Sequence, residues 1–525
     1  MSKYRYLWNT VKYLKFIQVY YQIYYRLKIK FNLGFNPKYR LSKAEEFSWT
    51  HTVYNLTTYL GNNTFNFLNR PKKFQNNIDW NFPDFGKLWV YNLNYFEYLN
   101  QKNISKEEAL QLVYRYIDVY DHCEDGKEPY PTSLRILNII KFVAHNDIED
   151  EKVLNLIKAD ASRLYENVEY HLLANHLLEN GFALLFVAQF FNSKRFLKKA
   201  TTILTKELEE QVLKDGAHFE LSPMYHILIL HRILDCIQLL ELNKSDKSIT
   251  LLSLFRTKAE IMLSWINQIK YNDDSLPMFN DSSKNITISI QEIFKYAKTL
   301  RLNEIYLPLS ESGYRKFQTN KYQLVVDFGD IGPNYQPAHA HSDTFNFELF
   351  VDNKPIIVDT GTSTYDKNER RQLERSTYSH NTIQIDNFEQ SEVWGGFRVA
   401  RRAYVKNLKE GVDFVEAEHD GYKKIGVSHL RRFSIDKSLV QINDIIVNNL
   451  NYNQSAYFHL HPSLKNIIIN DYTIIIENNI TMSFTGTNVI INKELYEHAE
   501  GFNKTKKAIV IKVTFESNLE TSIKL

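Results

Sequence analysis

What this 525-residue chain has little of narrows its reading first. Its only cysteines are Cys123 and Cys236; so few build no disulfide framework, argue against a zinc site made of thiolates, and fit a reducing compartment. Neither sign of charge dominates. A net charge of +3 gives no reason to expect nucleic acid as a partner, although a local basic patch still suits an acidic polymer. Long apolar runs are missing too. From Met1 to Lys30, Lys, Arg, Gln or Asn interrupts every apolar stretch, so no signal-peptide core and no transmembrane segment is read there. The localisation expected is cytoplasmic. This basic, aromatic stretch is expected to pack against the rest of the chain, with a helix lying on a membrane surface as the alternative. Tryptophan is scarce at 6 against 34 Tyr and 33 Phe. Tyr and Phe suit sugar-binding clefts, but codon usage in an A/T-rich genome explains most of them.

The length exceeds one ordinary core and calls for two large domains or a few smaller ones. Apolar residues recur at helical spacing in blocks at 105–122, 132–145, 151–169, 171–192, 195–214, 223–242, 250–270 and 287–301, an array of paired helices. No repeat or low-complexity tract marks it as a solenoid. After Gly313 the period becomes two: Tyr322 to Phe328, Ile356 to Val358, Asn381 to Ile385, Tyr472 to Ile476 and Ala508 to Phe515 read as short strands. The fold class is α+β and multidomain, with helical residues 1–305, an antiparallel β-sandwich over 306–525, and a junction around 302–320.

Three clusters carry chemistry. Pro337-Ala-His-Ala-His-Ser-Asp343 sets His339 and His341 at the mouth of an alternating strand, with Asp359, Arg370, Arg371, Arg375 and His380 following. In the helical half, Asn175, His176 and Glu179 share one face of a helix whose leucines supply the packing side. A His–Glu pair on a helix surface is the plainer reading of that motif taken alone. Third, Gly216 ends one helix, and Ser222-Pro223 reads as the cap and first position of the next. Tyr225 then sits in a first turn, where the positive dipole end favours anions and phenol ionisation. The alternative is that Tyr225 packs and Glu220 supports the turn.

Taken in order, Asn175, His176, Glu179, Glu220 to Tyr225, His339-Ala-His341, Asp359-Thr-Gly361 and His380-Asn-Thr382 resemble the heparinase II/III family of polysaccharide lyases, and are similar to exo-type alginate lyases. Trp89 to Phe96 and Tyr130 to Arg135 extend the resemblance over most of the chain. It implies an incomplete (α/α) toroid, then the β-sandwich, with the cleft between them. It also implies an acidic, uronic-acid-containing polysaccharide or oligosaccharide as substrate, and β-elimination as the reaction.

Elimination needs the C5 proton removed, the carboxylate charge stabilised and O4 protonated. Tyr225 is the expected acid, and also a base for a syn substrate; His339 is the alternative base. Asn175 and His176 would neutralise the carboxylate, with Glu179 orienting His176. Arg135, Arg371 and Arg375 are candidates for pairing with substrate carboxylates, internal ion pairs being the alternative. Glu220 is a further substrate-binding candidate. Trp89, Tyr91 and Trp394 are candidate sugar platforms, with core packing the stronger alternative for Trp89.

The resemblance further implies a structural zinc on His341, Asp359 and His380, and no organic cofactor. A turn at Asp352-Asn353 would set Asp359 near Asn346, so at about 3.3 Å per residue His341 joins only if the 337–343 loop folds back. Asp343 is the alternative carboxylate. Because the chain begins without a signal peptide, trimming or making a bacterium's own capsule or exopolysaccharide is the expected setting. A glycoside hydrolase using Glu179 and Glu220, and an inactive glycan-binding protein, are the rival classes.

Overall fold

The structure is a computed structural model that describes residues 3–31, 39, 41–44, 46–244, 248–448 and 452–525. Met1 and Ser2 of the N-terminal stretch lie outside them.

Each periodic block of the helical half forms a helix. They run Lys106–Val119, Pro129–His145, Glu151–Glu166, Ala174–Phe190, Lys194–Gln211, Pro223–Leu242, Ile249–Ile269 and Ile290–Thr299. Local capping starts several of them: Ser105, Asp150, Ser222 and Ser289 each accept a hydrogen bond from the backbone N–H three residues on. Helix Ala174–Phe190 is apolar almost all round, so it lies inside the array, against Pro129–His145, Lys194–Gln211 and Pro223–Leu242. Gly181 permits that approach, since a Cβ there would sit 2.9 Å from Leu204 Cδ2. The preceding turn differs from expectation. The helix stops at Gln211, and Gly216 serves the reversal after it.

Before these blocks come helices Lys3–Val11 and Phe16–Lys30, a hairpin of Thr64–Phe67 with Arg70–Lys73, and helix Lys87–Tyr95. The hairpin strands are too short for period two to register.

The C-terminal half is antiparallel throughout its named sheets. Four strands, Tyr314–Gln318, Tyr322–Asp327, Phe347–Val351 and Lys354–Ile357, form one sheet. A ten-stranded sheet faces it and includes the long hairpin Ile480–Gly501 with Lys504–Lys524. Leu324, Phe347 and Leu349 of the small sheet share one core with Phe433, Ile442, Phe458 and Ile511 of the large one, as a sandwich requires. Gly313 opens the sheet region at φ +80°, and a Cβ there would meet Gly329 Cα at 2.1 Å, so only glycine fits.

The hairpin after Phe347–Val351 turns at Asp352 and Asn353, both with positive φ, the form a two-residue hairpin loop takes. Asp359 consequently lies beside Asn346, whose Nδ2 donates to Asp359 Oδ2 at 2.6 Å. The stretch from Phe328 to Asn346 belongs to no regular element and returns to the helical half: Asp281 N donates to His339 O, and His341 N to Asn280 Oδ1, both at 3.0 Å.

Candidate active site

Two strained backbone corners aim the helical side of the site. Leu173 and Ala174 have φ of 63° and 53° just before Asn175, and Leu221 has 54° just before Ser222. Non-glycine residues in this region cost of order 1–3 kcal/mol each and gather where the surroundings fix them for a purpose. One corner delivers Asn175 and His176 from the first turn of Ala174–Phe190. The other delivers Tyr225 from the first turn of Pro223–Leu242, capped by Ser222. A cavity of about 650 Å³ opens between these turns and the loops of the sandwich, lined in part by Asn175, His176, Glu179, Glu220, Tyr225 and His339.

The Tyr225 ring lies over the His339 imidazole at 3.9 Å between centroids. Asn175 Nδ2 donates to Glu220 Oε2 at 2.8 Å and lies 3.3 Å from His339 Nε2. His339 Nδ1 faces Asp281 Oδ2 at 3.0 Å. Burial pushes the Asp281 carboxyl up, but Arg371, with hydrogen bonds from His339 and His341, outweighs it and holds Asp281 well below the usual carboxylate range. An ionised carboxylate only accepts, so Nδ1 carries the proton and Nε2 presents its lone pair beside the Asn175 amide.

Burial pushes the Tyr225 phenol well above its ordinary range, and the charges of Asp281 and Glu220 add to it. Any help from the helix dipole is overridden: Tyr225 stays protonated at neutral pH. Its hydroxyl lies 3.3 Å from that of Tyr365.

His176 is held by Glu169, Nδ1 to Oε1 at 3.1 Å. Burial alone would lower its pKa, but Glu169 raises it above the ordinary value, favouring a cation toward the cavity. Glu179 is therefore not the group that orients His176. It turns instead toward Arg232, whose Nε lies 3.4 Å from Oε2. Burial outweighs Arg232 and pushes the Glu179 carboxyl up to about 7.

Several expected ligand-binding residues are structural. Arg135 is fully buried and clasps Asp160 at 2.7 and 2.9 Å, away from the cavity lining. Arg371 clasps Asp281, and Arg375 donates from Nε and Nη2 to Ala340 O at 3.1 and 2.8 Å. Both arginines brace the His339 loop from behind. Trp89 is buried, its Nε1 donating to Arg70 O. Trp394 stacks on Tyr6 and donates to Thr10, so neither indole lines the cavity. Tyr91 does.

The zinc set does not form. Among the described residues no group of three or more His, Cys, Asp or Glu is placed to hold a metal ion. Asp359 spends Oδ2 on His380 Nδ1 at 2.7 Å and on Asn346, and Oδ1 on Gly361 N at 2.8 Å. His341 gives Nε2 to Asp281 at 2.9 Å. Two buried ring nitrogens, Nδ1 of His341 and Nε2 of His380, remain without hydrogen bonds, in rings 5.3 Å apart. The 337–343 loop does fold back, but Asp359, the carboxylate expected between the two rings, is engaged by His380, Asn346 and Gly361. Asp343 Oδ2 is buried and likewise unpartnered.

Sequence reasoning passed over Asp281, Glu169, Arg232 and Tyr365. Glu169 left a trace by its near-helical spacing to His176, and Asp281 as a carboxylate in the polar Asn280-Asp-Ser-Ser283 stretch between two helical blocks; Arg232 and Tyr365 left none.

Comparison with known proteins sets this geometry in a family. Residues 84–304 match the model described as Heparinase II/III N-terminus, and residues 304–525 match Heparinase II/III-like, C-terminal. The chain belongs to the heparinase II/III family. A heparin-sulfate lyase of Pedobacter heparinus is 25% identical over 333 residues, 58% of this chain and 48% of the relative. One of Bacteroides thetaiotaomicron is 23% identical over 345 residues, 58% and 47% respectively. The chain thus spans about half the length of the curated relatives it matches. A solved heparinase III superposes with a TM-score of 0.62 at 18% identity, covering 85% of this chain and 80% of that one. This likeness bears out the (α/α) toroid that the resemblance implies and the β-sandwich read from the sequence.

Proposed function

We propose that this protein is a polysaccharide lyase that cleaves an acidic, uronic-acid-containing glycan by β-elimination. The observation that carries the reading is the placement of Asn175, Tyr225 and His339 around one cavity, with the His339 tautomer set by Asp281. Membership of the heparinase II/III family and likeness to heparin-sulfate lyases support it.

In this reading the uronate carboxylate sits between the Asn175 amide and the His176 ring, whose raised pKa suits an anion. These donors meet the charge that grows as C5 loses its proton, where a fixed donor does most good. His339 Nε2 takes the C5 proton, the freed electron pair forms the C4–C5 double bond, and the C4–O4 bond breaks. Tyr225, protonated at rest, gives its proton to O4. The close approach of the two rings then leaves the imidazolium near the phenolate, and transfer of the proton between them restores both groups. Every step in this reading is assigned to these side chains, and none is routed through a metal. Lys284 on the cavity wall supplies positive charge for an acidic chain.

The test is incubation of the purified protein with a panel of uronic-acid polysaccharides while following the ultraviolet absorbance of the unsaturated uronate. Rising absorbance with at least one of them supports the reading. Cleavage without absorbance favours the hydrolase, and binding without cleavage favours the inactive glycan-binding protein.

A further inference from the structure

Helix Phe16–Lys30 presents the wrong side to water. Its inward side is polar and aromatic: Gln18 Nε2 donates to Leu172 O at 3.2 Å, Tyr25 OH to Val168 O at 2.6 Å, and Lys28 Nζ to Asn167 Oδ1 at 3.0 Å. Tyr21 packs on Tyr170 at 4.7 Å between ring centroids. The outward side carries Phe16, Tyr20, Ile23, Tyr24 and Leu27, spaced as one face of a helix. They are 84, 52, 54, 44 and 45% exposed, so the stripe is open along its whole length. Trp8, in helix Lys3–Val11, is 70% exposed as well.

The charge of the same segment is one-sided. Residues 1–44 contain ten Lys and Arg and no Asp or Glu. Lys15 is spent on Glu210 and Lys28 on Asn167, while Arg26 and Lys30 lie exposed next to the apolar stripe.

We propose that this surface docks the protein onto an anionic lipid bilayer. A second copy would set two wholly cationic segments face to face, which like-charge repulsion opposes. An acidic glycan would satisfy the cations and leave the stripe in water. An anionic membrane takes both, with Tyr, Trp and Phe at headgroup depth and Lys and Arg against the lipid charge. No helix among the described residues is long and apolar enough to cross a membrane, so the contact is peripheral. It stands independently of the lyase reading.

The experiment is flotation of the full chain with vesicles of phosphatidylcholine alone or mixed with phosphatidylglycerol. Binding is expected only to the mixed vesicles, weakening as salt rises. Arg26→Glu and Lys30→Glu should each weaken it by roughly fivefold or more, and the Ile23→Ser/Leu27→Ser double variant should abolish it. All four side chains are exposed, so the thermal midpoint should stay unchanged and exclude misfolding as the cause. Absence of flotation with mixed vesicles overturns the proposal, as does flotation that neither kind of variant alters. A dimer in sedimentation velocity that the double variant dissociates, or heparin binding without vesicle binding, also overturns it.

Discussion

The Tyr225 ring covers the His339 imidazole with centroids 3.9 Å apart and planes inclined by 32°. One residue comes from a helix start in the N-terminal half and the other from a loop of the sandwich, so the contact exists only when both halves are folded and joined. The pairing also divides the work. The phenol keeps its proton because burial raises its pKa, and the imidazole turns its Nε2 to the Asn175 amide because Asp281 claims Nδ1.

Removing the phenol hydroxyl isolates the proton donor. Tyr225→Phe keeps the ring over His339 and should cut turnover by about 10²–10⁴-fold, the usual contribution of a general acid. Glycan affinity, measured by calorimetry on the same variant, should change little.

Asn175→Ala removes a donor aimed at the developing carboxylate charge. Its kcat should fall by roughly 10²–10³-fold. Steady-state kinetics separates this from lost binding, which would raise KM and leave kcat unchanged.

Arg371 is expected to act through Asp281 rather than by touching glycan. Arg371→Ala leaves the buried Asp281 charge without its guanidinium, at a cost of about 3–5 kcal/mol in urea unfolding. Arg371→Lys should recover part of that stability, which a substrate contact alone would not explain.

Glu179 gives a pH signature. Its carboxyl is raised from an ordinary 4.5 to about 7, so between these values the folded state holds a proton that the unfolded state has released. Stability contributed by the site is therefore fully present below pH 4.5 and is lost as pH rises to about 7, at up to ~1.4 kcal/mol per pH unit. Glu179→Gln should remove that slope from unfolding midpoints measured across the range.

Much of this was legible in the chain because packing writes periods into sequence. The block at 223–242 coincides with helix Pro223–Leu242, and the Asp352-Asn353 turn sets Asp359 beside Asn346. Roles decided by partners from distant segments were not legible. Arg135 and Arg371 were readable either as ligand cations or as internal ion pairs because sequence does not record burial, and each holds an aspartate. His176 has two glutamates at helical or near-helical spacing, and only the fold shows that the pairing goes to Glu169. Asp281 carries no motif; its importance comes from the three side chains that converge on it, His339, His341 and Arg371.

The central claim is elimination with Tyr225 as proton donor, and the mass of the new non-reducing end tests it most directly. Mass spectrometry of the fragments released by the unaltered protein should show an end lighter by one water than hydrolysis would leave, with the same fragments missing from the Tyr225→Phe digest. Fragments carrying the full added water, or an undiminished yield from Tyr225→Phe, would contradict it.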